Sequence, residues 1–150
     1  MTSDFFPFHT VIEVRGYELD SFGHVNNAIY LNWIEHARWE LFRGRGFERL
    51  LGGVQTVLRH TELDFRAETF FGDRLRISMW PRRVGTTSFT LGSMIRIESA
   101  PQPERPGKTV LVASSTLVCV APGRGKVPVP QAVRAVFPAR DPGPELTADQ

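Results

Sequence analysis

The sequence has one cysteine, Cys119, and only two lysines beside sixteen arginines. A single thiol inside the apolar run TLVCVA allows no intrachain disulfide, so Cys119 reads as a packing residue and the setting as reducing. No apolar run approaches the ~18 residues that a membrane span needs. The opening MTSDFFPFHTV places an Asp early and no basic stretch ahead of a long apolar one, which argues against a secretory leader. A soluble, cytoplasmic protein with no membrane partner is therefore expected. Several catalytic spacings are missing as well. His9, His24, His36 and His60 make neither H-x-x-x-H nor H-E-x-x-H, so no metal site is expected. G-x-S-x-G is absent, which removes the nucleophile-elbow hydrolases. The formal charge is only +2 and the arginines are scattered, too diffuse for a nucleic-acid stripe. The planar guanidinium still suits bidentate phosphate binding, which keeps a phosphorylated small ligand open.

What is present fits one domain of 150 residues, long enough to bury roughly 68–70% of its unfolded surface, and without an internal repeat. Residues 8–18 alternate loosely as a strand, with Gly16 marking a bulge or close approach. From Asn27 to Arg43 the period turns helical, because Tyr30, Trp33, Ile34, Ala37 and Leu41 recur on one face. After the stop GRGFERLLGG come four long strand-like segments, VQTVLRHTELDFRAE, DRLRISMWPRRV, TSFTLGSMIRIES and KTVLVASSTLVCVA, separated by turn chemistry. GRGK suggests a tight turn, and Pro130 the first position of a short helix. The Pro-rich, polar stretch 138–150 is expected to be disordered, leaving a single domain over 1–137. One long helix and five or more strands make an α+β chain whose simplest solution wraps an antiparallel sheet around the helix. Leu31, Trp39 and Phe42 fall off the core face of that helix. Either the sheet curls far around, or a second subunit covers the rest.

The stretch DSFGHVNN lies just before the helix. Asn26 and Asn27 are good N-cap residues, and Gly23 permits a turn with positive φ. Asp20 is too early to be the cap. It can close an Asx-turn, or a turn at Phe22-Gly23 can fold its carboxylate back toward the helix start. A helix N-terminus offers unpaired N–H groups and partial positive charge, suited to a carbonyl oxygen that becomes an oxyanion. With a carboxylate beside it, the pair would be a minimal site for acyl transfer.

The stretch YELDSFGHVNNAIYLNWIEHAR resembles the 4-hydroxybenzoyl-CoA thioesterase-like family of hotdog proteins, and DFRAETFFGDRLRI, VGTTSFTL and GKVPVP are similar to its later motifs, over about residues 8–137. The resemblance implies a hotdog fold, a long central helix wrapped by a curved antiparallel sheet, assembled as a homodimer or homotetramer with the site at the subunit interface. It also implies an acyl-CoA thioesterase that uses no cofactor, coenzyme A being part of the substrate. Asp20 would be nucleophile or general base, and backbone N–H groups at about Val25 to Asn27 would polarise the thioester carbonyl. His24, Asn26 and Asn27 complete the implied catalytic set. Plant acyl-carrier-protein thioesterases show a similar D-x-N-x-H-V-N-N; here Phe22 stands where they have the first Asn. Tyr17, Gly23, Val25 and Tyr30 are implied on the substrate side, and Glu35 and Arg38 at the interface near the acyl pocket, where an i,i+3 ion pair is the plain alternative. Arg66, Arg82 and Arg83, near strand ends, are candidates for the coenzyme A phosphates. An acyl-carrier-protein thioesterase and a noncatalytic acyl-CoA or acyl-carrier-binding module remain the alternatives.

Overall fold

In the computed structural model, which describes residues 4–146, the predicted helical face is the buried one. Helix α1 (Asn27–Trp39) turns Tyr30, Trp33, Ile34 and Ala37 into the core, and Leu41 follows one turn later. Burying each large side chain contributes about 1.5–3 kcal/mol, which is what holds a short helix whose own propensity is marginal. Beyond Trp39 the coil widens into a π turn over Glu40–Gly44, closed by the Arg45 N–H on the Glu40 carbonyl at 2.8 Å.

The strands are β1 (Phe8–Glu13), β2 (Gln55–Phe65), β3 (Arg74–Val84), β4 (Ser88–Ser99), β5 (Thr109–Ala121) and the two-residue β6 (Gly125–Lys126). They form one antiparallel sheet in the order β1-β3-β4-β5-β2, with β6 on β5. Side chains alternate between its faces. Leu75, Ile77, Met79, Leu91, Ile95, Leu111 and Leu117 pack with α1, while Trp80, Met94 and Val112 form a separate cluster on the outer face. This is the expected hotdog arrangement, one helix wrapped by an antiparallel sheet. On the outer face, Trp80 lies across Gly92, where an added Cβ would run into the indole ring.

Three expectations change in detail. Residues 16–18 leave the sheet for a 3-10 turn (Gly16–Glu18), because the Glu18 carboxylate accepts from the Arg15 N–H at 2.8 Å and from Trp33 Nε1 of α1 at 2.6 Å. Pro130 caps α2 (Gln131–Arg134) from outside rather than opening it. The stretch expected to be disordered is, over 138–146, laid on the outer face. There Trp80 Nε1 donates to the Gly143 carbonyl at 3.1 Å and Leu146 packs on the Trp80 cluster. Residues 147–150 lie outside the described part. Among the described residues no helix is long and apolar enough to cross a membrane.

Candidate active site

Leu19 and Val25 form an isolated antiparallel bridge, so the segment between them is the tip of a small hairpin. The Gly23 N–H donates to the Asp20 carbonyl at 3.1 Å and the Asp20 N–H to the His24 carbonyl at 2.7 Å, with Gly23 at φ 80°. A three-residue loop of this kind ends in a left-handed residue, which is why glycine stands there. Asp20 Oδ1 accepts from the N–H of Phe22 at 2.9 Å and of His24 at 3.0 Å. Those two amides, His24's first, hold the carboxyl below the ordinary carboxylate range, so it is ionised at neutral pH. Oδ2 accepts no hydrogen bond from the described residues.

Two residues after the hairpin tip the helix opens. Asn26 is the N-cap and its Oδ1 accepts from the Ala28 N–H at 3.1 Å. Among the described residues the amides of Val25 and Asn27 find no acceptor, Asn27 as the first helical residue and Val25 just before the cap. Glu18 ties the hairpin's root down: nearly buried, it is bonded to Trp33, and its backbone carbonyl meets the Asn26 N–H at 3.5 Å. Sequence reasoning missed Glu18, since nothing local distinguishes it from a solvated strand glutamate.

Asp20, His24, Val25, Asn26, Asn27 and Tyr30 all line one cavity of about 540 Å³, facing Phe65, Arg66 and Glu68 at the end of β2. The far wall is held by the loop between β4 and β5. There Arg105 makes a two-pronged contact with the fully buried Asp73, donates to the Glu68 carbonyl at 3.0 Å and lies over the Phe70 ring. A buried charge is tolerable when so fully paired. His24 packs edge-on against Phe70, with 6.3 Å between ring centroids, so its ring lies between the hairpin and this wall. The Tyr30 hydroxyl shares a hydrogen bond of 2.9 Å with Thr69, and its ring sits between Trp33 and Phe65.

The remaining sequence candidates fall elsewhere. Gly23 shapes the hairpin without lining the cavity. Tyr17 is exposed and stacks under Arg15. Arg82 and Arg83 lie away from the cavity and are both engaged by Asp141. Glu35 and Arg38 make the i,i+3 pair at 3.5 Å, and Arg38 Nη1 is buried without a partner among the described residues. Arg38 lines a smaller cavity of about 280 Å³ with Trp39, Phe42 and Leu58. Phe65, Glu68 and Arg105 were not anticipated, because a strand end and a polar turn carry no periodic signal. No cluster of three His, Cys, Asp or Glu side chains able to hold a metal occurs among the described residues.

A fixed, ionised carboxylate with one free oxygen, beside two unpaired amides at a helix start, can attack a carbonyl carbon while the amides receive the developing oxyanion. The chain itself is similar to known proteins. The family model described as the thioesterase-like superfamily matches residues 14–137. The long-chain acyl-CoA thioesterase FadM of Escherichia coli K12 is 34% identical over 113 residues, covering 74% of this chain and 81% of FadM. The chloroplastic acyl-acyl carrier protein thioesterase ATL3 of Arabidopsis thaliana is 37% identical over 71 residues, 45% of this chain and 37% of ATL3. A crystal structure of a thioesterase-superfamily protein from Jannaschia sp. CCS1 superposes with a TM-score of 0.74 at 27% identity, covering 87% of this chain and 80% of that one.

Proposed function

The chain belongs to the thioesterase-like superfamily and is a thioester hydrolase, and from that premise we propose that it cleaves acyl-CoA to a free acid and coenzyme A, with Asp20 as the reacting carboxylate. The observation that carries this reading is the shared cavity: Asp20, with Oδ2 free, opens onto the same space as the unpaired amides at the start of α1. The thioester carbonyl oxygen points at the Val25 and Asn27 amides. Asp20 Oδ2 then adds to the carbonyl carbon, the C–S bond breaks, and the sulfur leaves with the electron pair as thiolate. Water hydrolyses the resulting anhydride and returns the carboxylate. Activation of a water molecule by the same oxygen is the general-base alternative and uses Asp20 in the same position.

The unit that does this is a homodimer. β2 is an edge strand with exposed Val57 and Phe65, and Trp39 stands 62% exposed beside the unsatisfied Arg38. A second copy would cover these groups and complete the acyl pocket. The carrier-protein thioester is the second reading, supported by the similarity to ATL3.

Thiol release measured over a panel of acyl groups, each presented on coenzyme A and on acyl carrier protein, tests the substrate class. Turnover at least tenfold higher in kcat/KM on coenzyme A is expected. Preference for the carrier protein would replace the first reading by the second, and no thiol release from either would overturn both.

A further inference from the structure

Segment 138–146 crosses the outer face of the sheet and ends beside the cavity at Asp20. It has a firm root. Asp141 receives Arg82 through Nε and Nη2, both at 2.9 Å, and Arg83 through Nη1 at 3.0 Å, and these guanidinium contacts hold its carboxyl down to about 2. The Gly143 N–H closes back on Asp141 at 2.8 Å, and Arg82 also reaches the Ser114 hydroxyl at 3.1 Å. Its far end is looser. Glu145 meets Arg66 Nη2 at 2.7 Å, but the Glu145 and Arg66 side chains are 54% and 38% exposed. Arg66 lines the cavity that holds Asp20, and Asp64 orients it through Nε at 2.9 Å.

One cation at the mouth of the site is thus shared between a local carboxylate and one delivered from the far end of the chain. We propose that the tail is a displaceable strap, in which Glu145 occupies on Arg66 the place of a phosphate of the incoming thioester carrier and competes with it. The proposal rests on the acyl-CoA reading above. An exposed ion pair is weak, salt-screened and easily exchanged. A phosphate brings more charge and three acceptor oxygens to a guanidinium that binds such groups bidentately. Asp64 keeps Arg66 in place through the exchange, and the Asp141 root keeps the released strap from leaving the sheet. Carriers without a phosphate at that position neither gain from Arg66 nor compete with Glu145 for it, so the pair also selects among carriers.

The experiment compares the full chain with Glu145→Gln, first by calorimetric binding of coenzyme A and then by steady-state hydrolysis of one acyl group carried on coenzyme A or on pantetheine, which has no phosphate. Removing the competitor should tighten coenzyme A binding and lower KM for acyl-CoA by roughly two- to fivefold, the range that exposed pairs carry, with kcat unchanged. KM for the pantetheine ester should not move, and in an Arg66→Gln background the Glu145→Gln effect should vanish. Equal changes for both esters, unchanged or weaker coenzyme A binding, no measurable coenzyme A binding by either chain, or survival of the effect without Arg66 would each overturn the strap. Absence of hydrolysis with coenzyme A still bound would sink the acyl-CoA reading instead, and the binding comparison would decide the strap alone.

Discussion

Asp20 meets two demands with its two oxygens. Oδ1 closes the hairpin by accepting the Phe22 and His24 amides, and Oδ2 stays free for chemistry. The Asx-turn and the proposed reacting carboxylate, alternatives when only the order of residues is known, are compatible in one group. The same economy holds for Asn26, whose side chain satisfies the Ala28 amide while Val25 and Asn27 on either side of it line the cavity. Charge placement follows burial. Arg105 and Glu18, both nearly buried, are paired several times over, whereas Arg66 at the rim makes contacts that solvent can exchange.

At the scale of elements, the outer face of the sheet is closed by a ring lying on a glycine. Trp80 and Gly92 are directly opposed between β3 and β4, and any Cβ at Gly92 would displace the indole that carries the tail. Gly92→Ala should therefore cost about 1–3 kcal/mol, the usual range for overpacking, read as a fall of several degrees in Tm. An unchanged Tm would mean that Trp80 moves aside at no cost. The elements themselves were legible because their periods are long: α1 and the π turn after it bury the five residues the spacing named, and the four long strands lie where Val, Ile, Leu and Thr concentrate. The turn at Glu18 was not legible, since what bends the chain is a hydrogen bond to Trp33 fifteen residues on. The docked tail was missed for the same reason. Its Pro-rich composition describes local preference, while Asp141, Gly143 and Glu145 are held by side chains from β3 and from just beyond β2.

For the whole molecule, the Asp20 hairpin, the start of α1 and the end of β2 converge within one chain, yet α1 carries more apolar surface than one sheet covers. Trp39 and the edge of β2 remain open, and Arg38 is buried with an unpaired nitrogen. Trp39→Glu should convert a dimer into a monomer at micromolar concentration in sedimentation analysis, and reduce turnover with it. A Trp39→Glu chain that stays dimeric would place the interface elsewhere. Of the site, the sequence revealed the hairpin and helix start, because Asp20, Gly23 and Asn26 each have a local conformational signature. It did not reveal the wall at residues 65–73, which is assembled by Arg105 from across the sheet.

We propose that the Asp20 carboxylate performs the chemistry at the start of α1. Asp20→Asn tests it most directly, because the amide oxygen can still accept the Phe22 and His24 amides and keep the hairpin closed, while the free nucleophilic oxygen is lost. Thiol release from the best acyl-CoA should fall on the order of 10²-fold or more in kcat, with Tm and oligomeric state preserved. Retention of activity within a few fold, in an equally folded protein, would contradict the account and leave the helix N-terminus without its reacting partner.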